Sequence, residues 1–257
     1  MVKIVENVAD SDEPLSFSEP DGGPAPRGTV VLVPGRGERA EVYRRFGTRL
    51  SLDAYRVHVV TDPTVDADRV RGQIARAIDD AVRTPPIVLA GSDTGALFTA
   101  ALVATGEFEP DALILAGLPL AQDPALAAAS WDEELDARTT CPTHRGRLSE
   151  SLVSPGALYG AVPETWLERA TMSAIGIPIL GLHGRDDPIT PLDAVRDAFA
   201  SAPDAELVGI VDARHDVLNN QSHRTVAATI ILWLERLRLG RALPAIATLE
   251  PLGADVA

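Results

Sequence analysis

At 257 residues, with 46% hydrophobic and 23% charged positions, the chain has an ordinary globular composition and enough length for one α/β domain with a large core. Its formal net charge of −14 argues against nucleic acid or anionic membrane as partners, because both need basic patches. The lone cysteine, Cys141, excludes an intrachain disulfide and a multi-cysteine metal site.

Residues 1–28 are polar and rich in Pro and Gly, with KIVENV and LSFSE as candidate edge strands. The opening MVKIVENVADSDEPLSF lacks the apolar core of a signal peptide. No stretch approaches the roughly 20 apolar residues of a membrane span, so a cytoplasmic protein is expected. From residue 28, short apolar runs predict strands at 29–34, 55–60, 86–91, 111–117, 177–184 and 205–212. Segments at helical spacing lie at 40–52, 66–83, 95–106, 191–201 and 221–239. The last of these puts Val226, Ile230, Trp233, Leu234 and Leu237 on one face. Continuous apolar strands alternating with helices predict an α/β fold whose mostly parallel sheet is covered on both faces.

The alternation breaks between Leu118 and Ile175, where only helix-compatible pieces occur. That is too long for a plain connection. The expected division is a core of 1–118 and 176–257, with a helical cap insertion at 119–175. Its apolar residues Leu120, Leu126, Trp131, Leu152, Leu158, Trp166 and Leu167 cannot be placed from spacing.

Ligands of such sheets bind beyond the carboxyl ends of the strands, so the residues after each strand are the candidates. After PIVLA comes GSDTG. A sharp strand-to-helix turn that exposes a nucleophile needs small residues two before and two after its centre. Centring on Asp93 puts Gly91 and Gly95 there, whereas centring on Ser92 puts Ala90 and Thr94 there. The turn therefore selects Asp93, although an aspartate that only N-caps the following helix fits as well. After IPILGL comes HGRDDPITP, and after AELVGIVD comes ARHDVLNN with His215. Nucleophile, acid, then histidine is the chain order of one known triad arrangement.

With these loops in view, the chain resembles the α/β-hydrolase superfamily over roughly residues 25–240. PGRGERAEVYRRFGTRL is similar to the His-Gly oxyanion loop of lysophospholipase-like and monoacylglycerol-lipase-like members, with Pro34 in place of His. HGRDDPITP resembles their acid loop and implies Asp187 rather than Asp186; ARHDVLN resembles their histidine loop. An aspartate at the elbow is similar to epoxide hydrolases and haloalkane dehalogenases. The resemblance implies Asp93 as a nucleophile forming an alkyl-enzyme ester, with His215 activating water to hydrolyse it. It also implies Asp187 orienting the imidazole and the backbone N–H groups of Arg36 and Thr94 as oxyanion donors. The expected partner is a small, partly apolar substrate, with no cofactor and no metal; a homodimer is compatible with the sequence.

Several residues depart from those relatives. Thr94 follows the nucleophile where dehalogenases place a halide-binding tryptophan, so Trp131 or Trp166 of the insertion would have to substitute. Epoxide hydrolases use two cap tyrosines, and here only Tyr159 lies in the insertion. The Arg36 side chain either binds a substrate carboxylate or phosphate or is solvated, the reading an Arg-rich chain favours. WDEELD reads as the polar face of a cap helix, His58 as structural, and Cys141 with His144 as half a metal site at most. Two other functions stay open: acid/base lyase, cyclase or isomerase chemistry through Asp93 and His215, and a non-enzymatic ligand-binding member. Esterase action through Ser92 is disfavoured by its register.

Overall fold

The six apolar runs read as strands and the two candidate edge strands before them pair into one sheet. The computed structural model describes residues 3–5, 13–79, 83–122 and 130–248. Its strands are β1 (Lys3–Val5), β2 (Leu15–Ser18), β3 (Gly28–Val33), β4 (Tyr55–Val59), β5 (Ile87–Ser92), β6 (Ala112–Ala116), β7 (Ile179–Gly184) and β8 (Ala205–Ile210). Their spatial order is β1-β2-β4-β3-β5-β6-β7-β8. β1 and β2 are antiparallel additions at one edge, and β3 to β8 pair in parallel. β3, β5, β6 and β7 are buried at every residue, because helices cover both faces and leave no position for an alternating polar side chain.

The helices are α1 (Arg44–Leu52), α2 (Ala67–Asp79), α3 (Thr94–Ala104), α4 (Trp131–Arg138), α5 (Pro142–Arg147), α6 (Glu164–Arg169), α7 (Leu192–Ala200) and α8 (His223–Arg238). α3 is apolar almost all round and buried from Thr94 to Leu102, as a helix packed under the centre of a sheet must be. α8 buries the five residues that its spacing singled out.

β3 sits between β4 and β5: from β3 the chain passes to β4 on one side and then crosses back over β3 to β5 on the other. The loops after β3 and β5 part on opposite faces, which opens a crevice at their carboxyl ends. Arg36 and Asp93 sit there. The stretch between β6 and β7 carries α4, α5, α6 and short 3₁₀ and π turns. Among the described residues its one strand-like pairing is the bridge between Val153 and Glu38. Leu126 and the rest of 123–129 lie outside the described residues, as do 80–82 at the end of the expected helix 66–83.

Candidate active site

The turn after β5 is built by exclusion. A Cβ on Gly91 would stand 2.4 Å from the Gly95 carbonyl, and one on Gly95 would stand 2.2 Å from the Val33 carbonyl oxygen. Neither position tolerates a side chain, so strand and helix meet at backbone distance. Asp93 between them has φ 49° and ψ −126°, a strained conformation for a residue with a Cβ, costing on the order of 1–3 kcal/mol. Its backbone carbonyl accepts from the N–H groups of Ala96 and Leu97, but its side chain makes no capping bond. The carboxylate turns instead toward the crevice. Ser92 partners the Tyr43 hydroxyl.

The two oxygens of Asp93 have different surroundings. Oδ2 accepts from the Arg36 backbone N–H at 3.0 Å and from Arg36 Nε at 2.9 Å. Oδ1 accepts from Arg36 Nη2 at 2.8 Å and lies 3.1 Å from His215 Nε2. His215 Nδ1 is 2.9 Å from Asp187 Oδ2, while Asp187 Oδ1 accepts from the backbone of Ile189 and Thr190. Asp93, His215 and Asp187, spread over 122 residues of chain, thus form one hydrogen-bonded line. Thr94, fully buried, brings its hydroxyl to 3.5 Å from Asp93 Oδ2.

Charge explains how this line survives burial. Burial alone would raise the Asp93 carboxyl, but Arg36 and His215 outweigh it and hold it well below the usual range. Burial would lower His215, yet Asp187 and Asp93 on either side push it up to about 10. Asp187 is lowered, with His215 overcoming burial. Two buried carboxylates therefore face two buried cations. His183, lowered chiefly by burial, donates from Nε2 to the Thr190 carbonyl at 2.7 Å and backs the Asp187 loop.

The solvated reading of Arg36 is overturned. Its side chain is 5% exposed, clamps both Asp93 oxygens, and donates from Nη1 to the Gly160 carbonyl at 2.8 Å. A buried carboxylate in a strained turn draws in the nearest guanidinium, a pairing that spacing alone cannot show. The reading of WDEELD as an outer polar face is also overturned in part, because Glu134 and the fully buried Arg138 of α4 point inward. Arg138 reaches Glu38 at 3.0 Å, Glu134 at 3.1 Å and Asp216 at 3.5 Å. His144 pairs with Asp216 at 3.0 Å, not with Cys141. Their one sequence signal is the i,i+4 spacing of Glu134 and Arg138.

The insertion residues separate. Gly160, whose carbonyl accepts from Arg36, follows Tyr159 in the chain, and the charges that act on the Tyr159 hydroxyl are those of Glu134, Arg138 and Glu133. Trp131 lines a groove of about 310 Å³ with Leu148, Leu152 and Pro155. Trp166 is buried against Phe98 of α3, ring centres 4.7 Å apart, and belongs to the core. A second groove of about 330 Å³ runs along Arg39, Asp62 and Arg69; neither is lined by Asp93 or His215. Among the described residues no cluster of three or more His, Cys, Asp or Glu side chains could hold a metal ion, and no helix is long and apolar enough to cross a membrane.

No family model matches the chain. Among solved structures it is similar to a monoacylglycerol lipase from Paleococcus ferrophilus, at 19% identity over 91% of this chain and 98% of that one, TM-score 0.67. A soluble variant of monoglyceride lipase from Saccharomyces cerevisiae matches at 15% identity, 92% and 95% coverage, TM-score 0.68. A thermophilic esterase from Thermogutta terrifontis matches at 20% identity, 83% and 92% coverage, TM-score 0.63. At such identities the likeness is one of fold.

Proposed function

We propose that this chain, which has the α/β-hydrolase fold, is a hydrolase whose nucleophile is Asp93, acting on a small molecule at an electrophilic carbon such as that of an epoxide. The observation that carries the reading is the asymmetry of the Asp93 carboxylate. Oδ2 rests on a backbone N–H, as an oxygen destined to become an oxyanion should, and Oδ1 faces the imidazole. The fold of the lipases and esterases above supports hydrolysis as the reaction class. Residues 119–175 would serve as a cap, which meets the site at Gly160, the acceptor of Arg36 Nη1.

In the resting state His215 is an imidazolium. Asp93 Oδ1 attacks carbon, the C–O bond breaks, and its electron pair goes to the departing oxygen. That oxygen takes the proton from His215 Nε2, a donor that compensates for the single cap tyrosine. Esterification removes the negative charge of Asp93, so the imidazole loses one of the two anions that raised its pKa and stays neutral. Neutral Nε2 then takes a proton from water as the water oxygen adds to the Asp93 carbonyl carbon. Oδ2 bears the resulting charge against the N–H of Arg36, with the Thr94 N–H as second donor. Collapse expels the alcohol, protonated by the imidazolium, and the regenerated carboxylic acid returns its proton to His215.

Turnover of a panel of alkyl and aryl epoxides in H₂¹⁸O, followed by mass spectrometry of Asp93 peptides, tests this. One ¹⁸O should enter the Asp93 carboxylate; turnover that leaves Asp93 unlabelled would overturn it. The occupancy of both Asp93 oxygens by Arg36 favours a second reading, in which Asp93 is a fixed charge and His215 moves protons without an ester. There Asp93→Asn would slow turnover and no labelled Asp93 would form.

A further inference from the structure

The Arg36 clamp poses a problem for the nucleophile it holds. Each carboxylate oxygen has two lone pairs, and both on Oδ1 are engaged, one by Arg36 Nη2 and one by His215 Nε2. A carbon electrophile can reach Oδ1 only where one donor leaves. His215 is needed where it is, as proton donor and then as base. Arg36 is the donor that must give way.

The charges make the same demand. In the resting centre Asp93 and Asp187 balance Arg36 and the His215 imidazolium. When Asp93 becomes an ester and His215 gives up its proton, one anion and one cation disappear together. Asp187 stays bonded to the imidazole through Nδ1. Arg36 keeps its charge, is 4% exposed, and has lost its partner. Among the described residues its side chain has one other partner, the Gly160 carbonyl, a neutral acceptor. Glu38 and Asp62 flank Arg36, but their oxygens are engaged by the Gly35 N–H and Tyr43 and by the Gly37 N–H and Thr64. A buried guanidinium with no carboxylate in hydrogen-bond contact is unfavourable in a protein interior, and it would arise at the intermediate on which turnover depends.

Resting on the nucleophile reading, we infer that the substrate brings the missing anion: an electrophile bearing a carboxylate, which takes the Arg36 guanidinium as Asp93 gives it up. The exchange is like for like, one planar carboxylate replacing another on the bidentate face of the same fork. It frees Oδ1 at the moment the electrophile is seated. It also guards the nucleophile, since a neutral electrophile cannot draw the clamp away.

Two measurements test the inference. The first compares turnover of 3-alkyl- and 3-phenyl-glycidates with the matching uncharged glycidamides in H₂¹⁸O, using wild-type protein. The glycidates should turn over at least 100-fold faster, with ¹⁸O in Asp93, and Arg36→Met should lower that ratio to within about threefold. Equal turnover of acid and amide with Asp93 labelled would overturn the carboxylate inference and leave the nucleophile standing. Turnover without label at Asp93 would overturn the nucleophile and, with it, this inference.

The second uses Asp93→Asn as a stable mimic of the uncharged ester. Butyrate and phenylacetate should raise its melting temperature saturably, at concentrations at least tenfold lower than wild type needs, while butyramide should not. The response should vanish in Asp93→Asn with Arg36→Met. A variant that folds and ignores carboxylates would overturn the inference; should it fail to fold, the wild-type turnover ratio decides.

Discussion

Two buried clusters in this protein set arginine against carboxylates, with opposite outcomes. At the strand ends, Arg36 and His215 face Asp93 and Asp187, one cation for each anion, and both carboxyls are held below their usual range. Where the insertion meets the core, one arginine, Arg138, faces Glu38, Glu134 and Asp216. There Glu38 is pushed up to about 7, by burial first and by Asp216 next, with Arg138 and Tyr43 unable to offset them. Burial is nearly complete in both places. What differs is the ratio of cations to anions, and that ratio decides whether a buried acid is a permanent charge or one that titrates near neutrality.

The strongest test of this contrast removes the arginine of the second cluster. Arg138→Met leaves three buried carboxylates without it and should cost about 3–5 kcal/mol of unfolding free energy in urea at pH 7, much of it regained at pH 5 as Glu38 takes a proton. Next comes the pH dependence of stability itself. Because the folded-state pKa of Glu38 is raised, the folded protein binds more protons than the unfolded chain between about pH 4.5 and 7. That contribution therefore falls as pH rises through this window. Glu38→Gln should flatten the profile there by on the order of 2 kcal/mol relative to wild type.

The balanced cluster predicts an alkaline limb instead. With His215 raised to about 10, the proton it would donate in the proposed first step is lost only near that pH. kcat/KM should hold level from pH 6 to 9 and then fall about tenfold per unit above 10. A limb near 6.5 would mean that the resting imidazole is neutral. The same shift makes the His215 contribution to stability complete below about 6.5 and lost as pH rises through about 10. The smallest effect lies on the insertion side. The Ser130 hydroxyl accepts from the Glu133 N–H at the start of α4, and Ser130→Ala should cost about 0.5–1 kcal/mol in urea unfolding, leaving the alkaline limb in place.

The fold was readable because its signals are local. Val-, Ile- and Leu-rich runs of six to eight residues predict the parallel strands, and Val226, Ile230, Trp233, Leu234 and Leu237 predict the inner face of α8. Gly91 and Gly95 carry the register of the turn, because a Cβ at either meets backbone. Order along the chain and resemblance together point to Asp187 and His215. The reading went wrong at charged side chains: Arg36, read as solvated, is buried, and of the α4 polar run Glu134 turns inward with Arg138 while Asp132, Glu133 and Asp136 stay exposed.

Composition and spacing determined that there is a mostly parallel sheet, that the candidate residues follow its strand ends, and that Asp93 rather than Ser92 occupies the turn. Steric exclusion between near neighbours enforces each of these, and it is written in residue size and period. Only the tertiary structure decided that Arg36 clamps Asp93 and that Arg138 gathers three acids from distant parts of the chain. A long flexible side chain can reach partners over several ångströms in many directions. Which it finds depends on where the folded backbone leaves an uncompensated buried charge.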